Sequence, residues 1–220
     1  MLFEESIWIK NQFKFHFNNE DFPLLNLGSS TKKFREEDQS YIHKEIFLPL
    51  LKKKLKVIHN DVKKSDGVDI VGNINDLKFR NYLKGIGIKS ILCSNLLEHI
   101  ENPTLFVKSI IDILPENGKL IVTTPFYFPY HKDPIDTLFR PKIEDLELLF
   151  KDFHKISSST VKSNKNFSKV LKSNPRYFLT MILRWVTPFY KFYEWKLHLM
   201  DLFKVRKNFS ANCVVFKKIT

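Results

Sequence analysis

The stretch from Pro125 to Pro141, Pro-Phe-Tyr-Phe-Pro-Tyr-His-Lys-Asp-Pro-Ile-Asp-Thr-Leu-Phe-Arg-Pro, brings His131, Asp136 and Arg140 close together in the chain. An imidazole such as His131 exchanges a proton near neutral pH and can serve as a general base. Asp136 can orient that ring or bind a hydroxyl, and Arg140 can pair with Asp136 or with a substrate anion. The prolines stiffen the loop that carries them. A plainer reading of the same residues is a structural Asp136–Arg140 ion pair with His131 exposed beside it.

A second group with chemical potential lies much earlier. The apolar run Pro23–Leu27 ends at Gly28-Ser29-Ser30. A strand closed by a small-residue turn suits a nucleotide-like ligand, because glycine permits close backbone approach and a following helix start offers free N–H groups. A lone glycine after a strand is also what an ordinary turn requires. A nicotinamide-dependent dehydrogenase would be expected to carry G-x-G-x-x-G, and only Gly28 is present. No nucleophile elbow, Walker loop or metal-ligand triad is visible in the sequence, and no metal is expected.

These groups need a scaffold, and the periodicity predicts one. Residues 1–22 are aromatic-rich with some alternation and read as a short strand or a cover. Pro23–Leu27, Lys56–His59, Val68–Val71, Ser90–Cys93 and Lys119–Thr123 read as strands, followed by His154–Thr160 and Asn212–Lys217. Helices are expected over Tyr41–Lys54, Pro103–Leu114 and Ile143–Phe150, each with an apolar stripe at helical spacing. Alternation of this kind predicts an α/β fold whose mostly parallel sheet is covered by helices on both faces. Residues 162–176 read as a mobile Lys, Ser and Asn loop, and 177–205 as an aromatic helical segment broken near Pro188.

Four segments fall in a fixed order between Leu24 and Pro125: Leu-Leu-Asn-Leu-Gly-Ser-Ser (24–30), Val-Ile-His-Asn-Asp (57–61), Cys-Ser-Asn-Leu-Leu-Glu-His-Ile (93–100) and Leu-Pro-Glu-Asn-Gly-Lys-Leu-Ile-Val-Thr-Thr-Pro (114–125). Together they resemble the signature of class I S-adenosylmethionine-dependent methyltransferases, with a Rossmann-like sheet. The resemblance covers roughly Leu24 to Phe150 and is closest to small methyltransferases of surface-polysaccharide and modified-sugar biosynthesis. It implies S-adenosyl-L-methionine as cofactor, held by Asn26, Gly28, Ser29 and Ser30 at the first turn and by Asp61 on the ribose hydroxyls. It further implies Asn73 and Ile74 against adenine, and Ser94 and Asn95 near the methionine end. His131, Asp136 and Arg140 become the catalytic candidates, while His99 reads as a loop-positioning residue. Two departures stand out: serines replace the usual glycines after Gly28, and Asn73 replaces a common Asp. A noncatalytic methyltransferase-like partner protein is the alternative.

At 220 residues and 26.2 kDa the chain suits one domain. Its expected parts are an N-terminal cover (1–22), a cofactor-binding core (23–160), a basic helical insertion (161–208) and a last strand (209–220). Charge is uneven: residues 151–220 hold 15 Lys and Arg against Asp152, Glu194 and Asp201, a net of +12, which leaves residues 1–150 neutral. Such asymmetry points to an anionic partner. The segment Tyr177–Trp195 is dense in aromatics between basic stretches, and three readings stay open: an interfacial helix on anionic lipid, a cap over the active site, or a homodimer contact. Nucleic acid is not expected, since arginine is scarce and no recognition motif occurs. The expected acceptor is a small molecule or glycan, with phosphate-bearing and lipid-linked forms both compatible with the basic third. Cys93 and Cys213 read as buried free thiols, and the acidic N-terminus is no signal peptide, so a cytoplasmic protein is expected, with peripheral membrane contact through 162–207 as the open variant.

Overall fold

A computed structural model describes residues 1–131, 135–189, 191–203 and 205–219. Seven strands form one sheet: β1 (Leu24–Leu27), β2 (Val57–Asp61), β3 (Ile70–Val71), β4 (Ser90–Ser94), β5 (Lys119–Tyr127), β6 (Phe153–Asn166) and β7 (Asn208–Lys218). Their order is β3-β2-β1-β4-β5-β7-β6, with parallel pairing from β3 through β5 and antiparallel pairing of β7 to both β5 and β6. The order reverses direction at β1 and β4, so the loops leaving those two strands flank the crevice where open α/β sheets bind ligands.

Strand alternation decides which helices each face receives. Leu25 and Leu27 of β1, Ile91 and Cys93 of β4, Leu120 and Val122 of β5, and Val214 and Phe216 of β7 pack into one core. That core meets α3 (Leu77–Ile86), α4 (Pro103–Ile113) and α5 (Ile143–Leu149) through Leu83, Phe106, Ile110 and Leu146. The neighbouring positions Leu24, Leu92, Ile121 and Val215 face the other way, against α1 (Phe3–His16) and a helical run ending in α2 (Leu48–Lys52). The expected helix at 41–54 is present, with Ile42, Ile46, Phe47 and Leu50 buried, but π-turns over Phe34–Asp38 and His43–Phe47 widen the run leading into it.

Two expectations are corrected, and one helix, α3, was not anticipated. Residues 3–16 form a helix, not a strand: the buried positions Glu5, Ile9, Gln12 and Phe13 recur at helical spacing. The helix α3 carries only Leu83 as a fully buried apolar residue, which leaves too thin a stripe to announce it, although Asp76 caps its start through Lys78 N and Gly87 ends it at φ +78°. The stretch 162–176 is ordered structure: β6 runs to Asn166, followed by α6 (Phe167–Ser173) and the start of α7 (Pro175–Trp185). Asn166 and Asn174, which composition assigns to a loop, accept from Lys169 N and Tyr177 N as helix caps. A last helix, α8 (Phe192–Phe203), follows, and the interruption between α7 and α8 spans Pro188 as expected. Phe167, Leu171 and Met181 hold α6 and α7 on Tyr127 and Phe209.

Candidate functional site

The loops that leave β1, β2 and β3 converge. Gly28 has φ +69°, and a Cβ there would come 2.8 Å from Leu96 Cδ1, so both conformation and space demand glycine. Ser29 N donates to Asn60 O at 2.8 Å, and Ser30 N, at φ +56°, donates to Asp61 Oδ2 at 2.9 Å. Lys63 N donates to Asp61 Oδ1 at 3.0 Å. Each carboxylate oxygen of Asp61 therefore keeps lone-pair capacity for a further donor. Gly72 N bonds Asp61 O at 3.0 Å, which carries β3's loop to the same edge. There Asn73 Oδ1 accepts from Asn75 N at 3.0 Å in an Asx turn, while the Ile74 side chain is buried in the core.

Beneath the first loop lies Arg35, which the sequence reading did not single out. It is buried, and its guanidinium donates to the carbonyls of Ser29 (2.8 Å), Ser30 (2.7 Å) and Gly67 (2.7 Å). Two serines thus keep the loop shape with a cation bonded to their carbonyls from below. Asn26 stands apart from this group: its Nδ2 donates to His59 Nδ1 at 2.9 Å on the face covered by Phe47. Burial and the charge of Arg35 push His59 down to about 4.

At the carboxyl ends of β4 and β5 the dominant side chain comes from α1. Glu5 is wholly buried, and its Oε1 accepts from Thr123 Oγ1 (2.6 Å), Asn95 Nδ2 (2.7 Å) and Ser94 Oγ (3.3 Å). Its Oε2 accepts from Leu2 N at 2.9 Å, closing the first turn of its own helix. Asn95 sits at φ +48°, which its short polar side chain tolerates, and its N–H bonds Thr123 O at 2.9 Å. Ser94 and Asn95 thus stand where the sequence places them, already engaged by a carboxylate the sequence did not reveal.

Next to them a small cleft of about 60 Å³ is lined by Glu5, Asn95, Glu98, Pro125, Phe128 and His131 among others. The catalytic candidates do assemble on its flank. Arg140 grips Asp136 with two hydrogen bonds, 3.0 Å to Oδ1 and 2.7 Å to Oδ2, and Leu138 N and His131 N add 2.9 and 3.1 Å. Burial alone would raise the Asp136 carboxyl, but Arg140 and the two backbone donors outweigh it and hold it below the ordinary value. His131 Nδ1 lies 3.4 Å from Asp136 Oδ2 and 3.3 Å from Pro129 O. Burial lowers its pKa, partly opposed by Asp136. The Asp136–Arg140 ion pair of the plainer reading is present, and His131 lies beside it at the cleft. Lys132, Asp133 and Pro134 of this loop lie outside the described residues.

Glu98 of the cleft wall and its neighbour His99 complete this group. Glu98 is 1% exposed, and among the described residues neither carboxylate oxygen has a hydrogen-bond partner. Burial pushes its pKa up to about 8. His99 bonds Ile135 O through Nδ1, and its ring meets that of His131 edge-on at 5.4 Å. The Leu-Glu-His-Ile stretch was legible as a family element, but nothing in it signals that Glu98 faces inward. A second, larger cleft of about 180 Å³ lies between α1 and α2 around Phe13, Glu45 and Leu50, away from these groups.

No protein-family profile and no curated protein matches this chain. Solved structures do. The [4+2]-cyclase SpnF aligns over 99% of this chain and 81% of its own at 11% identity, with a TM-score of 0.58. Coclaurine N-methyltransferase, bound to N-methylheliamine and SAH, aligns over 98% and 71% at 15% identity (TM-score 0.55). A SAM-dependent methyltransferase from Anabaena variabilis aligns over 99% and 87% at 15% identity (TM-score 0.53). The fold is that of the class I SAM-dependent methyltransferases.

Proposed function

We propose that this chain is an S-adenosyl-L-methionine-dependent methyltransferase acting in the cytoplasm on a small polar acceptor, a sugar or glycan precursor of surface-polysaccharide biosynthesis. The observation that carries the reading is the convergence of Gly28, Asp61 and the Asn73–Ile74 loop at one sheet edge, with an acid- and imidazole-lined cleft beside it. The residues present fit the cofactor: Gly28 takes the positive φ that the turn after β1 needs, and Asp61 keeps acceptor capacity for a ribose diol. S-adenosylmethionine supplies an electrophilic methyl on a sulfonium with a good leaving group, so the protein's tasks are positioning and removal of one proton. Asp61 and the first loop would hold the nucleoside, and Ser94 and Asn95 would border its methionine end. His131, held by Asp136 and Arg140, would receive the acceptor's proton at the cleft.

The fold alone does not fix the chemistry, since a cyclase shares it. The engaged N–H groups of Ser29 and Ser30 favour the second reading, a noncatalytic cofactor-binding or partner protein. Calorimetry with S-adenosylmethionine and S-adenosylhomocysteine, followed by a methyl-transfer screen over nucleotide-linked sugars, separates the two. Binding with turnover supports the enzyme, binding without turnover the partner protein, and absence of binding rejects both.

The basic third suits an anionic, lipid-linked or phosphate-bearing acceptor. Among the described residues, no helix is long and apolar enough to cross a membrane. However, Leu179, Leu183, Val186, Phe189, Phe192 and Tyr193 are exposed along and between α7 and α8, Phe189 at 97%. An exposed apolar face set in a region of net charge +12 is the pattern of a helix lying on an anionic bilayer. His198 of α8 meets the Tyr130 ring at 6.0 Å, so such a surface contact adjoins the acceptor loop.

A further inference from the structure

We propose that Glu98, His99 and His131 bind a divalent first-row transition-metal ion at the wall of the cleft. One ligand atom from each of the three lies within 4.8 Å of the other two. The residues come from two separate elements: Glu98 and His99 from the turn after β4, His131 from the loop after β5. Two short, rigid attachments to a sheet edge hold a site more firmly than one flexible loop does.

The strongest pointer to a cation is Glu98. A buried carboxylate is normally surrounded by donors, and this one has none on either oxygen among the described residues. Arg140, a cation nearby, directs its guanidinium to Asp136 and to Phe139 O instead. The only charged-pair approach to Glu98 that the described residues offer is His99 Nε2, at 3.9 Å from Oε1.

The imidazoles are set as ligands. A carbonyl oxygen can only accept, so the Nδ1 contacts of His99 with Ile135 O and of His131 with Pro129 O place the proton on Nδ1 in both rings. Each Nε2 is then left with its lone pair. Metal-bound histidines commonly donate the remote ring N–H to a carbonyl or carboxylate in this way, which fixes tautomer and orientation. Asp136, at 3.4 Å from His131 Nδ1, adds the carboxylate version of the same support. Thr137 locks the arrangement, since its N and Oγ1 both donate to Glu98 O, at 2.8 and 3.0 Å.

Two imidazole nitrogens and one carboxylate suit Zn²⁺, Fe²⁺, Co²⁺ or Mn²⁺ better than Mg²⁺ or Ca²⁺, which prefer all-oxygen sets. Three protein ligands leave positions open, and His131 and Glu98 line the cleft where an acceptor would enter. Resting on the proposed methyl transfer, an acceptor oxygen bound there would lose its proton more readily, and His131 would then act as a ligand in place of a base.

The test uses the full chain after chelator treatment, titrated with Zn²⁺ by calorimetry and with Co²⁺ by visible absorption. The expected result is one ion per chain, with Glu98→Gln, His99→Ala and His131→Ala each weakening affinity by at least about tenfold. His154→Ala, an exposed histidine elsewhere, leaves it unchanged. Should a site variant fail to fold, X-ray absorption of the wild-type Zn²⁺ complex decides, with two imidazole nitrogens expected. No bound ion, a spectrum without histidine ligands, or equal affinity in all variants overturns the proposal. S-adenosylhomocysteine affinity measured on the same samples keeps the two readings separate: cofactor binding without metal rejects only the metal site, and metal binding without cofactor rejects only the methyltransferase.

Discussion

Glu5 and Asn95 meet at 2.7 Å across 90 residues of sequence, and this contact fastens the first helix to the edge of the sheet where the candidate site lies. The same carboxylate also binds Ser94 and Thr123, so α1 is tied to β4 and β5 by a single side chain. Glu5→Ala removes four donors' partner and leaves Asn95 and Thr123 with unsatisfied groups near the core. Losing hydrogen bonds to a buried charged group should lower stability by at least about 2 kcal/mol. Urea denaturation should show a lower midpoint, and hydrogen exchange should show faster exchange confined first to α1. A midpoint equal to wild type would mean that α1 is held without Glu5, by Ile9, Phe13 and the contacts of Glu4 and Lys10.

Asp61 should govern nucleoside affinity. Asp61→Ala is expected to weaken S-adenosylhomocysteine binding by roughly 1–3 kcal/mol, read by calorimetry. Because Asp61 also accepts from Ser30 N, Asp61→Asn, which retains one acceptor oxygen, should recover part of the loss. Unchanged affinity in the alanine variant removes Asp61 from the site.

Burial of His59 beside Arg35 predicts a pH dependence of stability. His59 is pushed to about 4 in the fold, below its ordinary value of 6.5, so the unfolded chain binds the extra proton first. Stability from this group is complete above pH 6.5 and declines as pH falls towards 4, by on the order of 3 kcal/mol over the full window. Denaturation midpoints at pH 7 and pH 5 measure it, and His59→Gln should flatten the difference. Identical slopes in wild type and variant would assign the pH effect elsewhere.

Attachment of the basic third to anionic lipid should be salt-sensitive. The Debye length shortens from about 10 Å at 0.1 M to about 3 Å at 1 M, so sedimentation with phosphatidylserine vesicles should fall as salt rises. Neutral vesicles should bind less at low salt. Phe189→Ser should weaken binding at both salt concentrations, because it removes apolar insertion and leaves charge alone. Equal and negligible binding to both vesicle types would leave α7 and α8 as a cap or a contact between copies.

The core of this fold is written in short apolar runs, which is why Leu24–Leu27, Ser90–Ser94 and Lys119–Thr123 were legible as buried strands. The helix α1 was not, because its inward stripe begins with Glu5 and includes Gln12, where a pattern reading expects apolar residues. Site residues followed the same division. Asp61 and His131 could be placed because strand ends and proline-stiffened loops mark their positions. Arg35, Glu5 and Glu98 could not, since charged residues are exposed by default and burial of each depends on contacts distant in sequence. Asn26 was legible as part of a motif, but its partner His59 lies one strand over and redirects its amide into the sheet.

The anchoring of α1 has a consequence for the order in which the molecule assembles. The helix precedes every strand in sequence, yet its carboxylate partners arrive with β4 and β5, and Glu4 reaches Asn164 N in β6. Until those strands are made, the apolar side of α1 has only Leu24 and the helical run around Ile42, Ile46 and Phe47 to cover, and closing such long loops slows folding. A segment made before the sheet is therefore tied down only after it. Its docking reports that the entire sheet, and with it the cleft, has come together.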